Sequence, residues 1–211
     1  NAVPPLLSYA VAKEISKNLN GISQRAFENC ISLKNVTLSS KLEIIGLNSF
    51  ENCVSLEKIE FPDSLLSIKE KAFYKCNSIT SITIPQSVSQ IGYSAFSDCA
   101  NLQEAHLSIP IIGVSMFQKC KKLENVTLEN TVSINDNAFL DCSSLNNIIF
   151  PETLVSIGKN SFYNCANFTT IVIPKNLKSI SLEAFNYCYN VETITVDEKN
   201  TEFDSRDNCN A

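Results

Sequence analysis

The chain has 211 residues, 44% hydrophobic and 18% charged, with a formal net charge of -5. That apolar content excludes a disordered chain and is enough for one large domain or two small ones. The acidic balance, with no basic run, lacks the electrostatic footprint of a nucleic-acid binder, and no apolar run approaches the roughly 20 residues that cross a bilayer.

Residues 1–21 come first and stand apart. Leu7, Val11, Ile15 and Leu19 fall at i, i+4 spacing, with Pro4 and Pro5 before them and Gly21 after. That suits a capping helix, with proline and glycine at their favoured ends. Ile15, Leu19 and Ile22 also match the phase of Leu38, Leu42 and Ile45, so a degenerate half-repeat fits the same stretch. Either would act as a lid on an apolar core. The chain begins at Asn1 without the charged, apolar, small-residue order of a signal peptide. It is expected to be a mature or excised segment.

From residue 22 to about residue 200 the chain repeats one phrase. Eight phenylalanines, Phe27, Phe50, Phe73, Phe96, Phe117, Phe139, Phe162 and Phe185, each precede a cysteine by three residues. The gaps between them are 23, 23, 23, 21, 22, 23 and 23. The cysteines are Cys30, Cys53, Cys76, Cys99, Cys120, Cys142, Cys165 and Cys188. An alternating apolar pair follows in each copy, as in Ile82/Ile84, Ala105/Leu107 and Ile171/Ile173, and Pro62, Pro85, Pro151 and Pro174 close four of these segments. The pair reads as a short strand of period two, ended by a residue that cannot donate to the ladder. In "IGYSAFSDC", Ala95, Phe96 and Cys99 lie at helical spacing, which predicts about two helical turns opposite the strand. One such unit cannot bury its apolar side alone, whereas stacked units can. Each buried phenylalanine is worth about 1.5–3 kcal/mol. Residues 201–211 form a tail beyond the array.

The phrase "ITSITIPQSVSQIGYSAFSDC", Ile79 to Cys99, resembles the BspA-like, or treponemal-type, leucine-rich repeat at nearly every marked position. The resemblance covers about residues 22 to 200, and Ile194 to Phe203 resembles the segment that often closes such arrays. It departs at "HLSIPIIGVSMF", two residues short with Met116 for the usual alanine, and at "TLENTVSINDNAF", one short. Lys69, Asn135 and Ser181 replace the usual glycine. The expected fold is α/β: a right-handed solenoid of about eight coils, with one parallel sheet and short helical segments behind it. The family implies surface-exposed or secreted proteins, often adhesins that bind host matrix proteins.

Eight thiols at one phase have three readings. Stacked equivalents point the same way, which suits neither converging disulfide geometry nor a tetrahedral zinc site. They read as small buried core residues, and no metal or cofactor is expected. Cys209 lies outside the ladder as the odd thiol. His106 is the single histidine, and its place between Ala105 and Leu107 points it into solvent. No GxSxG, glycine-rich phosphate loop or calcium loop accompanies it, so no catalytic residue is assigned and the chain reads as a non-enzyme. A hydrolase centred on His106 ranks last.

The outward columns of the sheet remain. Lys58, Glu60, Thr83, His106, Thr127, Ile149, Thr170 and Val172 are the candidate binding residues, with Glu104 and Glu129 as further polar contributors. Ile149 and Val172 break an otherwise small, polar face in adjacent repeats, as a contact patch would; good strand formers would look the same. Asn35-Val-Thr, Asn125-Val-Thr and Asn167-Phe-Thr match the glycosylation acceptor but read as accidental in a chain rich in Asn, Ser and Thr. The expectation is a non-catalytic module binding a protein or glycan through its sheet face, or a structural spacer within a longer surface protein.

Overall fold

The computed structural model describes residues 20–203. The expected cap or half-repeat of residues 1–21, apart from its last two residues, and the tail with Cys209 lie outside the described residues. The described chain is a parallel solenoid of about eight coils. Every strand pairing in it is parallel and joins a coil to its neighbour, as in Ile82↔Ala105↔Val126.

Each coil has three sides. The front side carries four-residue strands, Ser81–Ile84, Glu104–Leu107, Asn125–Leu128, Thr170–Ile173 and Thr193–Val196. An edge side carries two-residue strands, among them Gly21–Ile22, Ile44–Ile45, Ser67–Ile68 and Gln90–Ile91. The third side is the Ala-Phe-x-x-Cys turn.

This turn corrects the sequence expectation, because no helix forms among the described residues. The reason is in the backbone. In each coil the residues two before and two after the phenylalanine have positive φ, for example Ser94 at 55° and Asp98 at 58°. A left-handed residue every four positions cannot propagate a right-handed helix. The amides turn outward instead. Ser94, Phe96 and Asp98 donate to the carbonyls of Val114, Met116 and Gln118 in the next coil, at 3.0, 3.0 and 2.8 Å. Local i+3 bonds, such as that from Leu102 to Cys99 at 3.1 Å, close the turn. Asn and Asp hold many of these left-handed positions, as their short polar side chains allow.

Inside the turn runs the aromatic spine. Successive rings from Phe27 to Phe185 stack nearly parallel, 5.1–5.8 Å between centroids. The widest step, Phe96 to Phe117 at 5.8 Å, is the repeat that is two residues short. Both end cysteines, Cys30 and Cys188, and Phe185 are half-buried, while the other members of both ladders are buried.

The cysteines do more than fill space. The thiol of Cys53 donates to the carbonyl oxygen of Phe27 at 3.1 Å, and the pattern recurs in register to Cys188 and Phe162 at 3.1 Å. Each of the seven thiols from Cys53 onward thus ties its coil to the phenylalanine carbonyl of the coil before it. This calls for a small apolar residue that still carries a donor, which is what cysteine is. The eight ladder cysteines are free thiols. Burial pushes Cys53 up to about 12 and Cys188 up to about 11.

The edge ladder is broken once, between Gln90–Ile91 and Ile111–Ile112. Leu66, Ser89, Val132, Val155 and Lys178 each donate a backbone N–H to the previous coil. At the equivalent place stands Pro110, which has no N–H to give. The shortened coil therefore leaves a cleft of about 190 Å³ beside Val88, Ile109 and Pro110, while the aromatic spine runs on past it.

Candidate functional site

The front side is where outward side chains line up. Thr83, His106 and Thr127 are register partners across three paired strands, and Ser81, Glu104 and Asn125 form the column beside them. All six are exposed. The alternation of outward polar and inward apolar residues produces this face directly, since successive side chains of a strand point to opposite sides.

The front sheet is not continuous. Segments 35–38 and 58–61 are joined by a single bridge, Asn35↔Lys58, and segment 147–150 forms no strand at all. The outermost described segment, 35–38, has only 58–61 to pair with, whereas the other two coils share one substitution. Their second inward residue is Phe61 or Phe150, where the paired strands carry Ile84, Leu107, Leu128, Ile173 and Val196. Phe61 packs edge-on against Phe73 and Phe96 at 5.6 and 6.2 Å, and Phe150 packs against Phe162 at 5.6 Å. A benzyl group needs more depth than an aliphatic one, and in both of these coils the ladder is lost beside it. At the second gap the side-chain oxygen of Asn147 accepts from the backbone N–H groups of Thr169 and Thr170, at 2.8 and 3.1 Å, in place of a backbone carbonyl.

Each gap leaves a different surface. Clefts of about 260 and 360 Å³ open on either side of segment 58–61. Lys58 and Glu60 line both clefts, and their side chains form an ion pair at 2.6 Å while remaining largely exposed. The Lys58 ammonium holds the Glu60 carboxyl below its usual range. At the other gap Ile149 is 88% exposed, and Val172 in the next coil is 50% exposed. Thr170 and Val172 lie on a strand paired to Thr193–Val196.

The eight sequence candidates therefore occupy one face but three settings. Lys58 and Glu60 flank the notches. Thr83, His106 and Thr127 sit on intact sheet. Ile149, Thr170 and Val172 stand at the second gap. The ladder thiols are not offered to His106: those of Cys99 and Cys120 are buried and engaged with the carbonyls of Phe73 and Phe96. Among the described residues no group of His, Cys, Asp or Glu is arranged to hold a metal ion, and no helix is long and apolar enough to cross a membrane. The notches escaped the sequence reading, although the aromatic substitutions at 61 and 150 were the visible signal.

A solenoid with short parallel strands, an asparagine-rich turn side and a repeating phenylalanine–cysteine spine defines the leucine-rich-repeat class. More narrowly, residues 11–111 and 110–209 match the BspA type leucine rich repeat region, and the chain belongs to that family. A leucine-rich repeat protein of T. pallidum is 33% identical, with a TM-score of 0.65 over 70% of this chain and 71% of that one. A leucine-rich repeat protein from Bacteroides ovatus is 24% identical with a TM-score of 0.69, and the match covers 87% of this chain and 60% of that one. A leucine rich cell surface protein from Faecalibacterium prausnitzii is 22% identical with a TM-score of 0.50, over 87% of this chain and 65% of that one. The last two likenesses concern the fold. Comparison with curated protein sequences finds no match.

Proposed function

We propose that this chain is a non-catalytic, protein-binding module of a surface-exposed protein, and that the front face makes the contact. The observation that carries the reading is the concentration of irregularity on that face. The turn side repeats its hydrogen bonds in coil after coil, whereas the front departs from regularity at Lys58–Glu60 and at Ile149–Val172. An extended face with an apolar anchor and a separate charged notch suits a partner held by several distributed contacts. An 88% exposed isoleucine beside an exposed valine supplies the anchor. The family resemblance points to extracellular-matrix proteins as the partner class, and so to an adhesin. The likeness to a cell surface protein of Faecalibacterium prausnitzii agrees with an exposed location.

The test is solid-phase capture on immobilised matrix proteins such as fibronectin and fibrinogen. Ile149→Asp combined with Val172→Asp is expected to weaken capture at least about tenfold while thermal unfolding stays unchanged. Undiminished capture by the double variant removes the apolar anchor. Failure of the native chain to bind any matrix protein leaves the spacer reading, in which the array projects another domain.

A further inference from the structure

Three tyrosines gather on the turn side of the last two described coils, away from the front face. The rings of Tyr163 and Tyr187 lie 4.6 Å apart, tilted by 51°, and Tyr189 meets Tyr187 edge-on at 5.6 Å and 88°. Tyr189 is 75% exposed and Tyr187 48%. Among the equivalent residues inside the array, Lys75, Lys119, Lys121 and Ser143 are exposed, while Asn52, Asp98, Asp141, Asn164 and Ala166 are half-buried.

Tyr187 is out of place by the rules of its own repeat. It holds the second left-handed position of its coil, with φ at 64°, where Asn29, Asn52, Asp98, Asp141 and Asn164 stand in five other coils and Lys75 and Lys119 in two. A bulky aromatic residue is disfavoured there, while Asn and Asp tolerate it. The ring gains little burial in return, so stability does not explain it. An exposed side chain held in a costly backbone conformation is the kind of outlier from which a site is inferred.

We propose that Tyr163, Tyr187 and Tyr189 form a binding site for a neutral pyranose chain. The exposed face of a tyrosine ring carries negative charge density and attracts the polarised C–H groups on one face of a sugar ring. Two rings at a right angle offer faces to consecutive sugar units that do not lie in one plane. Beside them, in the same column of the repeat as Tyr187, the side-chain amide of Asn164 donates to a carboxylate oxygen of Asp141 at 2.9 Å. This fixed pair sets a donor and an acceptor at the edge of the aromatic patch, the combination that hydroxyl groups require. The Asp141 charge disfavours an acidic sugar, and Lys159 of the same coil as Tyr163 is paired with Glu183 at 3.3 Å. A protein partner of ordinary size would need about 800 Å² with an apolar centre. Asn164, Asn186 and Asn190 instead stand next to the three tyrosines in the chain, with Asp141 bonded to Asn164.

The chain has no tryptophan and six tyrosines, so intrinsic tyrosine emission reads this cluster directly. Titration with cellohexaose and with chitohexaose is the experiment, with oligogalacturonate as the anionic control. A saturable change in emission is expected with at least one neutral sugar, weaker by at least about tenfold in Tyr189→Ala and in Tyr187→Asn. The second variant installs the residue that the preceding coil carries, so it retains or raises the thermal midpoint. Tyr93→Ala, on the turn side of another coil, leaves binding unchanged, as do the front-face substitutions. The proposal is overturned if neither neutral sugar changes the emission, if both tyrosine variants bind as the native chain does, or if oligogalacturonate binds better than both. It is equally overturned if the tyrosine variants lose a matrix protein while no sugar binds.

Discussion

The turn side and the front side of the solenoid are built from the same repeat yet behave differently. On the turn side, seven thiol-to-carbonyl bonds and seven ring-to-ring steps run through the coils without interruption. On the front side, three of the described coils leave the ladder. The difference teaches that the aromatic spine, and not the sheet, holds the stack together. The front is then free to vary, and a sheet that does not carry the fold can open notches and expose an isoleucine at small cost.

The sharpest way to break this comparison is to remove one spine ring. Phe96→Ala, at the centre, is expected to destabilise the chain by about 3–5 kcal/mol, as read by urea unfolding. A loss below about 1 kcal/mol would contradict the spine's role. Next in size is Cys99→Ala, which removes buried volume and the donor to Phe73, at a cost of about 1–3 kcal/mol.

Alkaline pH probes the same ladder without substitution. Burial raises the folded thiols, with Cys53 at about 12 and Cys188 at about 11 against an ordinary value of 9.0. The neutral thiol is therefore favoured by folding. Its contribution is complete below the unfolded pKa and is lost as pH rises from about 9 toward those folded values. The thermal midpoint should fall across that window; a flat profile would mean that the thiols are not buried when folded.

Smaller effects sharpen the other half of the contrast. Phe61→Leu should let segment 58–61 settle back into the sheet, changing stability by less than about 1.5 kcal/mol. Amide exchange along segment 58–61 should slow in that variant. No slowing would mean that the ring is not what pries the sheet open. The smallest stability change belongs to Ile149→Asp with Val172→Asp, within about 0.5 kcal/mol for each exposed site.

The repeat, its period and the identity of the spine residues were legible because a fixed side-chain phase must recur wherever coils stack. The turn conformation was not. Ala95, Phe96 and Cys99 sit at helical spacing, but the left-handed residues Ser94 and Asp98 turn the amides to the neighbouring coil, and inter-coil bonding overrode local periodicity. The donor role of the cysteines was hidden for a related reason, since a thiol in a core and a thiol bonded to a carbonyl leave the same letter in the sequence. The front notches rest on one aromatic-for-aliphatic change per coil at 61 and 150, which preserves the apolar pattern and so escapes any reading based on it. Pro110 broke the edge ladder through a missing donor, visible as a proline but without meaning until the register was known. The tyrosine cluster depends on adjacency between coils, and only the stack supplies that.

Residue-resolved amide hydrogen exchange of the native chain tests the spine most directly. The amides of Phe50, Phe73, Phe96, Phe117 and Phe139, each bonded to the next coil at 2.7–3.0 Å, should share high protection, while Ile59, Phe61 and Ile149 exchange orders of magnitude faster. Equal protection on the two sides, or a front side that outlasts the phenylalanines, would contradict the account.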